Sequence, residues 1–414
     1  MKPRLLLVPA ILVLFSAIGA DWMQFRGPGG LGTSAEKGLP TTWSAKENIV
    51  WRAELPGPGT SCPIVVGKRV YLTSYSGYGV EVGKGDMEKL MRHLVCIGRD
   101  KGDVLWTKDF KPALPESKYQ AGNDSEHGYS SSTLASDGKS LYAFFGKSGV
   151  YCLDLDGKEI WHADVGTRAT GWGSSNSPVL YKDLVIVNAS IESGCLVALA
   201  KATGKEIWRV KNIGSSWNTP VLVDAPDSAE LVLSESKAVI GFEPACGKEL
   251  WRVTGFNGYV CPSVVAHKDV IYVVRGEALA IRAGGRGDVS NSHVLWRGKY
   301  SSLVPSLVYH DGHLYWPTNG LAICLDAANG KEVYRSRLSK GGSFYASPLV
   351  ADGKIYCVSR VGGTYVLAAG KEFKELALNK FEDDNSRTNA NPIVSEGCLL
   401  LRTDRYLYCI GNKR

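Results

Sequence analysis

Apolar residues along this chain recur at a period of two, not 3.6. Runs such as "DGKIYCVS", "GVYCLD" and "KDLVIVN" are short, rich in Val, Ile, Tyr and Leu, and bounded by turn residues. That pattern predicts β-strands. Asp-Gly pairs at Asp137-Gly138, Asp311-Gly312 and Asp352-Gly353 supply the positive φ of tight hairpin turns. A second turn glycine (Gly157, Gly204, Gly247, Gly330) opens a strand that carries a large aromatic. "CLDLDGKEIW" ends at Trp161, "VALAKATGKEIW" at Trp208 and "EPACGKELW" at Trp251.

These segments repeat. A proline followed by aliphatics and a turn occurs at Pro63, Pro178, Pro220, Pro262, Pro305, Pro348 and Pro392, with Thr133 in the corresponding slot between the first two. From Thr133 onward the spacings are 45, 42, 42, 43, 43 and 44 residues. Four short antiparallel strands, a to d, in about 43 residues is the signature of a propeller blade. The eighth unit, 390–411, supplies strands a to c only, and 48–54, with Trp51, supplies the missing strand d. The predicted fold is all-β: one domain over 21–414, an eight-bladed propeller whose last blade is closed by an N-terminal strand. Closure of this kind removes open sheet edges.

Trp51, Trp106, Trp161, Trp208, Trp251 and Trp296 fill one slot of the repeat; Tyr334 replaces it in unit six and Lys374 falls near it in unit seven. Indoles recurring at blade period are expected to be apolar plugs between outer strands of neighbouring blades. Cys96, Cys152, Cys324 and Cys409 share a strand-c slot, and Cys62 and Cys261 precede strand-a prolines. Equivalent slots in different blades are too far apart for disulfides, so these six are expected as small buried hydrophobes. The state of Cys195, Cys246, Cys357 and Cys398 stays open. No C-x-x-C spacing supports zinc.

Composition adds little direction. The 414 residues carry a formal charge of +7, two of those charges being Lys2 and Arg4, and no Lys/Arg run argues for nucleic acid. The leader is more informative. "MKPR", the apolar "LLLVPAILVLF" and the small residues of "SAIGA" read as a signal peptide over 1–20, cleaved near Ala20. No Cys stands at that junction and no later stretch is long and apolar enough to span a bilayer. The mature chain is expected to be exported to the periplasm or outside the cell, soluble, monomeric and not a lipoprotein.

The repeats "CLDLDGKEIW", "ALAKATGKEIW" and "CLDAANGKEVY" resemble those of pyrroloquinoline-quinone-type (PQQ-like) β-propellers. "MQFRGPGGLG" and "HGYSSSTLASDGKSLYAFFGKSG" resemble bacterial secreted members of the outer-membrane assembly factor (BamB)-like branch. That resemblance implies Trp-docked blades, no catalysis and no bound cofactor. The quinoprotein dehydrogenase branch instead implies PQQ and Ca²⁺ on the channel axis, acting on alcohols or sugars. Those enzymes carry adjacent half-cystines over the quinone, whereas this chain has ten Cys and no Cys-Cys pair.

Loop length locates a candidate site. The d-to-a and b-to-c connections share one face, and two of them are long, 74–93 and 111–131. The second gathers Tyr119, Asn123, Asp124, Glu126, His127 and Tyr129, with His127 among acids as the one acid–base cluster. The slot three residues before each strand-a proline reads Thr60, Ser130, Ser175, Trp217, Tyr259, Ser302, Tyr345 and Asn389, with Trp172, Asn176, Asn218 and Asn391 close by. Mixed polar and aromatic residues around a concavity suit a binding site. No G-x-S-x-G, H-E-x-x-H or P-loop is present, no catalytic residue is assigned, and "GGRGD" at 284–288 is a c-to-d insertion. The sequence thus favours an exported, non-catalytic scaffold for a protein, peptide or glycan partner in cell-envelope or outer-membrane assembly. The alternative is a PQQ/Ca²⁺-dependent oxidoreductase.

Overall fold

A computed structural model describes residues 21–81, 84–118 and 127–412. Eight antiparallel four-stranded sheets follow one another along the chain, each in the order a-b-c-d. Blade 1 consists of Ile64–Val66, Arg69–Ser76, Met91–Gly98 and Val104–Phe110. Blades 2 to 7 begin at Ala135, Val179, Val221, Val265, Val308 and Leu349. Blade 8 takes Ile393–Ser395, Cys398–Arg402 and Tyr406–Ile410 from the C-terminal end, and its fourth strand is Ile49–Glu54. Trp51 lies opposite Cys409 and Arg52 opposite Tyr408, so the N-terminal strand closes the ring.

The apolar core is divided into wedges. One buried cluster joins Val150 and Cys152 of blade 2 to Val185 and Val187 of blade 3; the next joins Ile186 and Ala198 of blade 3 to Leu231 and Leu233 of blade 4. Strands buried on both faces lose the simple alternation of a half-exposed sheet, and Val185, Ile186 and Val187 are all fully buried.

Each strand d carries a bulge just before its docking residue, an aromatic in every blade but the seventh. Glu159 pairs with Leu153 and Trp161 with Cys152, so Ile160 is the extra residue, and Ile207, Leu105 and Val50 are its counterparts. The bulge turns the aromatic toward the next blade and leaves the preceding aliphatic outside. There the indole lies on the glycine of the next blade's c–d turn. A Cβ on Gly204 would stand 2.5 Å from the Trp161 ring, on Gly102 2.6 Å from Trp51, and on Gly330 2.5 Å from Trp296. In four blades the indole N–H then donates into the same turn: Trp51 to Arg99 O at 2.7 Å, Trp161 to Lys201 O at 2.7 Å, Trp208 to Pro244 O at 3.2 Å and Trp296 to Ala327 O at 2.9 Å, whereas Trp106 Nε1, over Gly157, finds no protein partner. Only glycine combines the positive φ of that turn (+70° at Gly204) with room for the indole.

Three blades depart from the expected slot. Trp251 packs against Gly241 of its own blade and donates to the Glu230 carboxylate at 2.7 Å. The cause is the 284–288 insertion in blade 5. Its Gly287–Asp288 adds a parallel strand beside Trp251, and Arg286 pairs with buried Glu230 at 3.4 Å. The Arg-Gly-Asp segment is therefore part of the blade 4–5 joint. Tyr334 meets Phe373 edge-on at 5.7 Å, while the turn glycine, Gly370, has nothing within 4 Å of a built Cβ. In blade 7 the residue opposite the strand-c slot is Ala377, not Lys374, and Trp43 of the N-terminal segment is buried in the cluster that Ala377 packs against.

A second device runs around the axis. Two residues before each strand a, a backbone N–H donates to the side chain of the equivalent residue in the next blade. Cys62 N bonds Thr133 Oγ1 at 2.9 Å, Thr133 N bonds Ser177 Oγ at 3.0 Å, and Ser177 N bonds Thr219 Oγ1 at 2.9 Å. Thr219 N donates to Ser263 Oγ at 3.0 Å, Ser263 N to Ser306 Oγ at 2.9 Å, and Ser306 N to Ser347 Oγ at 2.9 Å. Ser347 N to Asn391 Oδ1 at 2.6 Å and Asn391 N to Cys62 Sγ at 3.2 Å complete the circle. Pro63, Pro178, Pro220, Pro348 and Pro392 follow their ring residues, whereas Pro262 and Pro305 precede theirs. Alignment on prolines is thus two residues out in blades 5 and 6 and one residue out in blade 2, where Thr133 is a ring residue, not the proline equivalent. Cys62 belongs to the ring and Cys261 does not. All ten cysteines are free thiols, Cys246 exposed.

The N-terminal segment straps the ring from within. Trp22 O and Met23 O accept from Val65 N and Ser136 N of blades 1 and 2, and Arg26 Nη2 donates to Leu307 O of blade 6. Thr33–Ser34 pairs in parallel with the inner strand of blade 7. The chain then crosses under blade 7, where Tyr356 donates to Pro40 O and Trp43 N to Asn379, before entering blade 8.

Two glycine substitutions separate turn strain from docking. Gly353 has φ +69° with nothing within 4 Å of a built Cβ, so Gly353→Ala should cost ~1 kcal/mol. Gly204→Ala adds the clash with Trp161 and should cost ~3 kcal/mol or more in urea denaturation. Equal losses would show that the indole contact carries no weight.

Candidate functional site

Large apolar side chains exposed among the described residues fall into two sets. Val50, Val104, Leu105, Ile160, Ile207 and Leu295 lie on the outer strands d, most of them at the bulge. Val80, Tyr259, Leu303 and Val361 all lie on d-to-a or b-to-c connections, the face with the long loops. The first set follows from blade geometry. The second has no such explanation.

At this face three sequence-selected aromatics converge. Trp172, Trp217 and Tyr259 come from the loops entering blades 3, 4 and 5, with ring centroids 6.4, 6.1 and 5.8 Å apart. Their backbones are tied together. Trp217 Nε1–H donates to Gly173 O at 2.9 Å and Trp217 N to Val260 O at 2.8 Å. Ser175 Oγ donates to Trp217 O at 3.0 Å. Trp217 is only 8% exposed and forms the base, Trp172 is half-buried, and Tyr259 at 73% is presented to solvent.

His127 serves this cluster as a positioning residue. Its Nε2–H donates to Trp172 O, and its Nδ1 lies 2.5 Å from Ser131 Oγ. Burial lowers its pKa, so the ring is neutral at pH 7 and holds one tautomer. It pins the blade 2 loop to Trp172 and has no free nitrogen for proton transfer. Its expected partners Asp124 and Glu126, with Tyr119 and Asn123, lie outside the described residues.

Beside His127 is a cleft of about 40 Å³ lined by Arg92, Phe145, Lys147, Arg168 and Ser174. Arg92 makes a buried ion pair with Glu116 at 2.5 Å and donates to Ser148 Oγ and Tyr129 O, each at 2.8 Å. Glu192 accepts from the Ser174 hydroxyl, while its other carboxylate oxygen is buried without a protein partner. Burial, reinforced by the charge of Glu116, pushes its pKa up to about 7. Sequence reasoning missed Glu192, Arg92 and Glu116, because nothing in a b–c loop glutamate or a strand arginine marks it as buried.

Other selected residues are placed differently. Asn176 and Asn218 are buried at 0 and 2%, behind the mouth and not around it; Asn218 Nδ2 donates to Ser234 O at 2.5 Å. Their slot points into the blade, because the residue before the ring residue faces strand b. Tyr129 donates to Ser117 O at 2.7 Å and packs edge-on to Tyr75 at 5.5 Å, in a small core under the 77–90 loop. Tyr345 and Asn389 lie on the blade 7–8 side, where Arg360 covers the Tyr345 ring at 4.1 Å and donates to Asn389 Oδ1 at 3.0 Å. The expected continuous lining is thus an aromatic group on one side and an arginine-centred one on the other. Among the described residues no three His, Cys, Asp or Glu side chains gather to hold a metal ion.

An eight-membered ring of four-stranded blades with Trp-on-Gly docking defines a PQQ-like β-propeller. The profile of the family described as outer membrane protein assembly factor BamB matches residues 91–283 and 237–372, together more than half of the chain, and the protein belongs to that family. No match was found among curated proteins. Among solved structures, quinohemoprotein alcohol dehydrogenase from Comamonas testosteroni is similar at TM-score 0.66 and 12% identity, over 95% of this chain and 81% of that one. A europium-containing methanol dehydrogenase gives 0.66 and 13%, over 95% and 89%. BamB from Moraxella catarrhalis gives 0.61 and 12%, over 87% and 99%. At such identities these likenesses show the fold alone.

Glu192 yields a pH test. Its folded pKa is raised from 4.5 to about 7, so its protonated form is favoured in the fold. Stability should be fullest below pH 4.5 and fall as pH rises toward 7. Glu192→Gln should match the parent near pH 4 and exceed it at pH 8 by up to about 3 kcal/mol in urea denaturation. A difference that does not change with pH would refute a buried neutral carboxyl.

Proposed function

We propose that this protein is an exported, non-catalytic, monomeric scaffold that docks a protein partner, by an extended peptide segment, on its loop face, in assembly of the cell envelope. The observation that carries the proposal is the Trp172–Trp217–Tyr259 cluster, backed by interloop hydrogen bonds yet offering Tyr259 at 73% exposure. Leu303 at 74% and Val361 at 71% add apolar surface on the same face. Rigid aromatic anchors ringed by polar groups are the usual centre of such contacts. Membership of the assembly-factor family supports a protein partner over a substrate, and the signal-peptide pattern of residues 1–20 supports export. No cofactor is needed for this role.

Affinity capture from an envelope extract, with quantified retention, tests it. Tyr259→Ala and Leu303→Ser should each reduce capture at least tenfold without changing the melting temperature, whereas Ile207→Ser on the outer rim should not. Trp217→Ala is the less informative variant, because this residue is buried and hydrogen-bonded to Gly173. Equal loss from the rim variant would place docking elsewhere. Soluble glycans competing for capture would mark a glycan partner. A quinone absorbance band and dye-linked alcohol oxidation after reconstitution with PQQ and Ca²⁺ would overturn the non-catalytic assignment.

A further inference from the structure

Away from the loop-face cluster, between the N-terminal strap and the inner strands of blades 3 to 5, lies a partly open cavity of about 260 Å³ with Gly29 exposed at its rim. Its walls are sharply divided. Phe25, Val179, Val221 and Leu222 are apolar; Gln24, Arg26, Thr219 and Ser263 are polar, the Gln24 amide N–H being taken up by Gly27 O. Arg26 is 2% exposed and is the one ionisable side chain among the lining residues.

The hydrogen bonding of Arg26 is incomplete. Nε donates to Gly30 O at 3.1 Å, and Nη2 donates to Leu31 O at 3.0 Å and Leu307 O at 2.7 Å. Nη1 is buried without a protein partner, and Arg26 makes no ion pair among the described residues. Carbonyl oxygens satisfy donors but bring no net negative charge. A guanidinium held this deep costs several kcal/mol unless a counter-charge reaches it. Burial lowers its pKa to about 10, which still leaves it protonated at neutral pH.

The axial ring supplies two further donors. Thr219 Oγ1 and Ser263 Oγ each accept a backbone N–H from the preceding blade, which leaves each hydroxyl proton to donate. Both residues line the cavity with Arg26. The cavity thus offers one cation, two hydroxyl donors and an apolar wall. A second negative charge would find no partner, which favours a monoanion over a dianion. The space exceeds the roughly 150 Å³ that suffices for benzene in an engineered apolar cavity.

We propose that this axial cavity binds a small organic monocarboxylate, its carboxylate facing the Arg26 guanidinium and the Thr219 and Ser263 hydroxyls, its apolar body against Phe25, Val179, Val221 and Leu222. The ligand is a structural co-component of the strap and belongs to no catalytic step. The site is independent of the docking face, so either proposal can fail without the other.

Isothermal titration and melting curves at constant ionic strength, with benzoate, benzyl alcohol and inorganic phosphate as probes, test it. Benzoate should bind saturably and raise the melting temperature with its concentration. Benzyl alcohol, the uncharged analogue of similar size, should bind at least tenfold more weakly, and phosphate should be weaker than benzoate. Arg26→Met should lose the benzoate response at least tenfold, while Tyr259→Ala should keep it. Should Arg26→Met fail to fold, crystals of the parent soaked in 4-bromobenzoate decide: an anomalous bromine peak within the cavity supports the proposal. Absence of saturable benzoate binding, equal binding of benzyl alcohol, tighter binding of phosphate, or a bromine peak only outside the cavity would overturn it.

Discussion

The circle of side-chain hydrogen bonds at the axis is the constraint on which the rest of the molecule depends. Eight backbone N–H groups at the entries to strands a have no strand partner there, and burying them unpaired would be costly. Each is satisfied by a short side chain on the next blade, which requires Ser, Thr, Asn or Cys at that position in every repeat. The bonds fix the distance between successive inner strands near the axis, where blades are narrowest. The outer ends are then set by indole on glycine, where blades are widest. Two interactions at two radii define each wedge, and the apolar clusters fill what lies between them.

The exceptions show how the rule can be relaxed. Blade 5 carries an insertion where its docking turn should be, and Trp251 turns back onto its own sheet. The insertion then has to bring its own joint, an added strand and an arginine for the buried Glu230. Blade 7 has Ala377 in the aromatic slot, and the indole of Trp43 is buried there from a different part of the chain. Volume at the blade joint is conserved in kind even where the residue that supplies it is not.

Architecture was largely legible because propeller repeats write the same turn, strand period and aromatic slot many times over. The closing strand was legible for the same reason: Trp51 matched a slot that blade 8 lacked. Register at the channel was less so. Proline was the conspicuous marker, yet it sits on either side of the ring residue; the functional constraint is the hydroxyl, which is common enough elsewhere to be overlooked. The aromatic cluster at the mouth was partly legible, since Trp172, Trp217 and Tyr259 were selected, although Tyr259 was reached through an alignment two residues out. Asn176 and Asn218 were misplaced because period-two reasoning says which residues alternate but not which face meets the neighbouring blade. Glu192 and Arg26 could not be found at all, since burial of a charged residue leaves no local pattern.

The N-terminal strap has a consequence for biogenesis. Trp22, Leu39 and Trp43 are buried at 3% each, in a cluster whose other members come largely from blades 7 and 8. The ribosome makes the 39–43 segment more than three hundred residues before its partners Asp352, Tyr356 and Asn379. Contacts so distant in sequence form slowly, and apolar segments kept waiting invite misassembly. Translation order and assembly order run opposite here, and this part of the strap must be kept from the wrong company until blades 7 and 8 exist.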